Sequence, residues 1–375
     1  MVTPLNTLAD IAGARRLVVK VGSALLVEGG EPRATWLTSL AEDIAGLIAG
    51  GTKIVIVSSG AIALGAARLK LARGGRGSLA DAQAAASVGQ IALAGLWSRA
   101  LESHGRIAAQ MLLTLDDLED RRRYLNASAT FERLLEARAV PVVNENDSVA
   151  TAEIRFGDND RLAARVAQAA GADAVLLLSD VDGLYDRDPR AEGASLVPRV
   201  QGVNEAVLAM ASGASSSGLG SGGMTSKLQA AQIAERAGIA LAIVNGTAAN
   251  PISRALASGI GTIFAPQRGS TARQAWLGGR LSAKGVITVD SGCAAALTGG
   301  ASLLAAGVTE VSGDFARGDL VTVVSPKGDR VAQGLCEYSA LDCHAIMGLR
   351  QDAQGAKLGY APRAAVIHRD HLVLL

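Results

Sequence analysis

The 375-residue chain has only three cysteines, Cys293, Cys336 and Cys343. So few, in odd number and at these spacings, form neither a disulfide framework nor a zinc motif. Small core positions are their ordinary place. Aromatic residues are also few: four Phe, four Tyr and three Trp, which argues against a platform on which bases stack. Charge of one sign is absent. The 36 Lys and Arg are matched by 35 Asp and Glu, leaving a formal +1 and no surplus to neutralise a polyanion. No apolar run reaches the ~20 residues of a membrane helix. The first ten residues lack a basic segment followed by an apolar one, so they do not read as a secretion signal. A cytoplasmic protein without membrane association is expected.

What the chain does have is apolar material, at 49% of residues, and 44 glycines, well above the usual ~7%. Five short β-branched runs, Leu17–Val21, Ile54–Val57, Val140–Val143, Ala174–Leu178 and Ala240–Val244, have the length and apolarity of strands buried on both faces. Between or beside them Trp36–Ala49, Leu79–Ser103, Tyr124–Ala137, Asn159–Ala170 and Leu228–Ala237 read as helices. Such alternation predicts an α/β fold, a mostly parallel sheet sandwiched by helices. In that architecture ligands bind beyond the C-terminal strand ends. Near residue 265 the pattern changes to a polar, turn-rich stretch and then to short strands such as Gly285–Val289, Asp319–Val324, Val331–Cys336 and Ala364–Ile367, a small β-rich domain. The expected domains are 12–266, a linker at 267–282, a β-rich unit at 283–363 and a C-terminal tail at 364–375.

The loops after the strands carry the chemistry. The first strand ends in Lys20-Val21-Gly22-Ser23; a lysine in a buried run is costly unless it emerges toward an anion, although one that snorkels to water is the ordinary alternative. The second ends in Ser58-Ser59-Gly60 before a helical pattern, either an anion pocket or a plain helix cap. Asn144-Glu145-Asn146-Asp147, continuing to Gly157-Asp158-Asn159-Asp160, is dense enough in carboxylates and amides to hold an ammonium group, a cation or a lysine. A solvated acidic loop is the bland alternative, weakened because Asn144 to Asp147 abut a buried strand. Ser179-Asp180-Val181-Asp182-Gly183 lacks the full spacing and final acidic residue of a calcium loop, so calcium is rejected. Gly218 to Lys227, with Ser221-Gly222-Gly223-Met224-Thr225-Ser226-Lys227 running into a helix, reads as a glycine-rich phosphate cradle without P-loop spacing, with a flexible linker as the bland alternative. No metal-ligand cluster is expected.

Taken in order, Val18-Val19-Lys20-Val21-Gly22-Ser23, Val57-Ser58-Ser59-Gly60-Ala61-Ile62, Asn144–Asp147, Gly157–Asp160, Ser179-Asp180 and Gly222–Lys227 resemble the amino acid kinase family, most closely its branch acting on glutamate. The resemblance covers about residues 15–265. Ser23 and Ser58 stand where Thr is frequent. The stretch from Lys284 to about Arg363, with Asp290-Ser291-Gly292-Cys293 and Phe315-Ala316-Arg317-Gly318-Asp319, resembles a PUA domain. The resemblance implies ATP-dependent phosphorylation of the side-chain carboxylate of L-glutamate, the first step of proline synthesis, with Mg²⁺ on the phosphates. It implies catalytic roles for Lys20, Lys227 and Asp160, the last orienting both lysines. Glutamate contacts fall to Ser59, Asp147 and Asn159, with Asn144 and Gly60 as weaker candidates; Asp147 suits the ammonium. Lys20, Ser179, Asp180 and Ser221 to Lys227 would frame ATP. Inhibition by proline, handover of the product to a glutamyl-phosphate reductase and a homo-oligomer are implied in the same way. The four histidines, His104, His344, His368 and His371, lie outside the motifs. That fits a substrate carboxylate already ionised at neutral pH, which needs no general base.

Two rival readings stand beside this one. PUA domains often bind RNA, but Lys284 to Arg363 holds seven basic and eight acidic residues, not a phosphate-binding balance. The other is a kinase of the same superfamily with a different small acid or a nucleotide as acceptor.

Overall fold

The computed structural model describes residues 5–149, 158–212, 223–266 and 283–375. The chain divides into two compact units with the change near residue 268, and the short stretch Asp120–Leu125 groups with the second.

Among the described residues, the first unit is built on an eight-stranded sheet. Its strands are β1 (Arg16–Val21), β2 (Lys53–Ser58), β3 (Ile107–Leu113), β4 (Ala139–Glu145), β5 (Ala174–Ser179), β6 (Arg199–Val200), β7 (Ala240–Asn245) and β8 (Thr262–Phe264), in the order β3-β4-β2-β1-β5-β7-β8-β6. All pairings are parallel except β7 with β8. Every residue of β5 is buried, as are all but the first of β1 and β2, and that is why these read as unbroken apolar runs rather than alternating ones. The edge strand β3 was not apparent from sequence, because its side chains are at most partly buried and the segment has no continuous apolar core.

The helices that bear on the site are α1 (Ala34–Ala49), α2 (Ala61–Leu69), α3 (Leu79–Glu102), α4 (Arg121–Glu136), α5 (Asp158–Ala169) and α6 (Met224–Arg236). Successive strand residues point to opposite faces. In β1, Leu17, Val19 and Val21 join a core with Trp36, Leu40 and Ile44 of α1 and Leu93 and Trp97 of α3. Val18 and Lys20 therefore face the other side of the sheet, where α5 packs on β1 and against α6. Helices α2 and α3 cross at glycine. A Cβ on Gly65 would sit 1.7 Å from the Ala85 carbonyl oxygen, and one on Gly89 1.7 Å from that of Ala61. Only a residue without a side chain allows that approach.

The second unit carries a five-stranded sheet of β9 (Gly285–Val289), β10 (Val308–Gly313), β11 (Leu320–Val324), β12 (Arg330–Leu335) and β13 (Leu372–Leu374), ordered β10-β9-β11-β12-β13. The β9–β11 pair is parallel and the other pairs antiparallel. The stretch 364–375, expected as a tail, is part of this fold: β13 pairs with β12, Ile367 bridges to Leu303, and Val366, Ile367, Leu372 and Val373 are buried. An apolar Leu-Val-Leu run gains most by closing a sheet edge. The expected linker 267–282 lies outside the described residues.

Candidate active site

The register of the central strands places the predicted loops along one edge. Val21 pairs with Ser58 on one side and Leu178 on the other, Val57 pairs with Val143, and Ser179 with Asn245. Because these strands end level, Gly22, Ser59, Asn144 and Asp180 all emerge at the same C-terminal edge of the parallel sheet, where such folds bind ligands.

On the face shared by β1, α5 and α6 the structure brings Lys20, Asp160 and Lys227 together. Lys20 Nζ lies 2.6 Å from Asp160 Oδ1, and Lys227 Nζ lies 3.2 Å from Asp160 Oδ2. Ser226 donates to the same Oδ2 at 3.4 Å. Asp160 is 1% exposed, and both lysines are buried. Burial by itself would raise the Asp160 pKa, but the two ammonium groups outweigh it and hold the carboxyl below its ordinary value. Lys20 is pushed the other way: burial, joined by repulsion from Lys227, lowers its pKa although Asp160 supports the charged form. Three charged groups with a net of +1 are thus held out of water, an arrangement that favours an incoming anion. Gly22 borders Lys20; a Cβ there would lie 3.6 Å from Nζ, an ordinary contact.

A second group of polar side chains lies along the same edge. Asn159 donates from Nδ2 to Ser59 Oγ at 2.6 Å, while its buried Oδ1 has no hydrogen-bond partner among the described residues. That leaves an acceptor available to a ligand. Gly60 adopts φ +112° at the start of α2, a conformation that favours glycine, and a Cβ would also press on Leu26 and Val27. Asn144 is buried and donates to Gln90 Oε1 at 2.7 Å. Asp147 is buried as well, and burial, partly opposed by Arg76, pushes its pKa up to about 6. A carboxylate so destabilised gains from a cationic partner.

Three contributors were missed from sequence. On α3, Gln90 anchors Asn144, and Trp97, fully buried, donates from Nε1 to Ser58 Oγ at 2.8 Å. The seven-residue spacing of Gln90 and Trp97 is two helical turns, so both lie on one face. Two hydrogen-bonding side chains at that spacing in an Ala-rich helix were the available signal. Arg76 had none, since it follows an irregular glycine-rich turn.

At the end of β5, Ser179 donates to Asp180 Oδ1 at 3.2 Å. The Asp180 charge bears on Lys20. Gly223 precedes α6 with no side-chain cap, which leaves the first-turn N–H groups of Met224 and Thr225 at a positive helix end. Asp182, beyond β5, is tied down by Asn245 and Tyr185, both donating to its carboxylate. Ser221 and Gly222 lie outside the described residues. Among the described residues no cluster of His, Cys, Asp and Glu is arranged to hold a metal, and no helix is long and apolar enough to cross a membrane.

The sequence matches the model of the amino acid kinase family over residues 15–245 and that of the PUA domain over residues 285–353. A glutamate 5-kinase of Novosphingobium aromaticivorans is 62% identical over 375 residues, the whole of both chains. Glutamate 5-kinases of Sphingopyxis alaskensis and Zymomonas mobilis subsp. mobilis are 60% and 52% identical, covering 97% and 96% of this chain and 98% and 91% of theirs. The buried Lys20–Asp160–Lys227 cluster at the sheet edge and these likenesses agree: the chain is a kinase with a C-terminal PUA domain, and it belongs to the amino acid kinase family and, within it, to the glutamate 5-kinases.

Proposed function

We propose that this protein transfers the γ-phosphoryl group of ATP to the side-chain carboxylate of L-glutamate, opening proline synthesis. The observation that carries the proposal is the buried Lys20–Asp160–Lys227 cluster at the sheet edge. An oxygen of the ionised carboxylate attacks the γ-phosphorus, the bond to the bridging oxygen breaks, and ADP leaves. No proton has to be removed from the acceptor. The chemical difficulty is repulsion between two anions and charge on the transferring group, which positioned cations relieve. Lys20 and Lys227 serve that purpose, and Asp160 fixes their ammonium groups and offsets their mutual repulsion. Ser59, Gly60 and Asn159 hold the substrate, Asn144 supports them, and Asp147 receives the ammonium of glutamate. Ser179, Asp180 and the segment Ser221 to Lys227 frame the nucleotide.

Mg²⁺ fits as a companion of ATP. Both Asp160 oxygens are engaged by lysines, whereas the exposed Asp180 carboxylate is available to a hydrated cation. The ion would neutralise phosphate charge when bound. The kinase domain is assigned to 12–266 and the PUA-like domain to the region from 283, in a cytoplasmic homo-oligomer. Proline is proposed to compete at the glutamate site, and the labile acyl phosphate to pass directly to a reductase.

The deciding experiment measures ADP release with L-glutamate, L-aspartate, an N-acylated glutamate, carbamate and a nucleoside monophosphate as acceptors, with hydroxylamine present to trap acyl phosphate. Glutamate-dependent ADP release with hydroxamate formation is expected. Turnover with another acceptor and none with glutamate would overturn the assignment. Proline should raise the KM for glutamate without changing the maximal rate.

A further inference from the structure

The catalytic unit leaves one chemically distinct pair of groups in the second unit unexplained. Cys336 follows β12 and Cys343 lies in the helix Ala340–Ile346. Both are buried, at 0% and 1% exposure, in the same apolar core, and their sulfurs are 3.6 Å apart. The intervening turn is well fixed. Ser339 caps the helix by accepting from the Asp342 N–H, and the Tyr338 hydroxyl accepts from the Arg363 N–H. The Cys336 N–H donates to the Asp319 carbonyl at 3.0 Å. Both sulfur-bearing segments are thus held against one another by bonds that do not involve sulfur.

We propose that Cys336 and Cys343 form a reversible disulfide when the protein meets a peroxide or a low-molecular-weight disulfide. A disulfide bond is about 2.0 Å long, so the sulfurs have only about 1.5 Å left to close, a distance that side-chain rotation can supply. With hydrogen peroxide the balance is simple. One thiolate attacks a peroxide oxygen and displaces hydroxide, giving a sulfenic acid. The second thiol then displaces water from that sulfur. Two thiols lose two electrons and two protons, and the peroxide is reduced to two waters. With a small disulfide the same electrons leave as two small thiols through a mixed disulfide. The geometry, not thiolate supply, singles out the pair: the neighbouring Cys336 thiol and burial raise the Cys343 pKa, as burial and Asp290 raise that of Cys293 to about 11, but only Cys336 and Cys343 have their sulfurs in contact. Burial of the pair makes local opening of the 336–343 turn the gate to reaction. Oxidation should therefore be slower in the folded protein than in a peptide, and the product should lock the turn to the helix.

The test uses the full chain. Peroxide-treated protein, digested without reduction, should yield one cross-linked species joining the Cys336 and Cys343 peptides, lighter by two hydrogens and abolished by dithiothreitol. The species should persist in Cys293→Ala and vanish in both Cys336→Ala and Cys343→Ala. If one of these last two variants fails to fold, the other decides the matter. The thermal transition should rise on oxidation of the wild type and not of the variants. Peroxide that leaves all three thiols titratable, that converts Cys336 or Cys343 to sulfinic acid without a cross-link, or that joins Cys293 instead overturns the proposal.

Discussion

Asp160→Asn is the substitution that separates electrostatics from shape at the candidate site, because the amide keeps the size of the side chain and removes one charge. At 2.6 and 3.2 Å and an effective dielectric of about 20, the gross attractions to Lys20 and Lys227 are about 6 and about 5 kcal/mol. Most of this offsets desolvation, and removing one partner of a buried ion pair costs about 3–5 kcal/mol net. A stability loss of that size should lower the thermal transition of the unit that holds the cluster by on the order of 10 °C. Turnover should fall by about 10²–10³, the usual effect of removing one preorganised electrostatic element. The pH profile is the sharper readout. Burial already lowers the Lys20 pKa, and Asp160 is the main group holding it charged. Without that carboxylate the pKa falls further, so the ammonium form is held less firmly and acidification favours it. The variant's rate at saturating glutamate should therefore gain on acidification relative to the wild type. An Asp160→Asn enzyme within about tenfold of wild-type turnover and with an unshifted profile would refute the reasoning.

Lys20→Met and Lys227→Met should each lower turnover by well over tenfold in an ADP-release assay, and retention within about tenfold would remove the two-lysine mechanism. Asp147→Asn should raise the KM for glutamate far more than that for ATP. Because the Asp147 pKa is raised to about 6, wild-type affinity for glutamate should weaken as pH falls through that value, and the variant should lose this dependence. Gly89→Ala places a methyl group against the Ala61 carbonyl and should cost about 1–3 kcal/mol or more by overpacking, read as a lowered denaturant midpoint.

The parallel core was legible because its strands are buried on both faces, so five apolar runs sufficed to locate β1, β2, β4, β5 and β7 to within two residues. The edge strand β3 and the short β6 and β8 were hidden for the converse reason: partial burial in β3, and two or three residues of length in the others. At the site, the residues that stood out were those whose chemistry is costly where the chain places them: Lys20 inside an apolar run, and Asn144 and Asp147 against a strand end. Gln90 and Trp97 did not stand out, because each is unremarkable in a helix. They matter only through Asn144 and Ser58, residues 54 and 39 positions away. Sequence shows which groups are chemically expensive; the spacing of Gln90 and Trp97 marks a shared helix face, but which groups they orient is decided by tertiary contacts.

The charge of the cluster also bears on the order of events. Lys20, Lys227 and Asp160 sum to +1 in a site withdrawn from water, an imbalance that costs free energy until an anion arrives. A triphosphate corrects it and a lone amino acid does so only weakly, since glutamate brings its own ammonium group. Asp147 shows the opposite imbalance, a buried carboxylate with its pKa raised to about 6, and glutamate's ammonium is the group that corrects it. The two ends of the site therefore carry opposite charge imbalance, which supports the proposed placement of the nucleotide at one and the amino acid at the other. It also predicts that Asp147→Asn leaves ATP affinity within about twofold while Lys227→Met, measured by direct nucleotide binding, weakens it by at least about tenfold. Equal effects of the two substitutions on nucleotide binding would show that the ends are not electrostatically distinct.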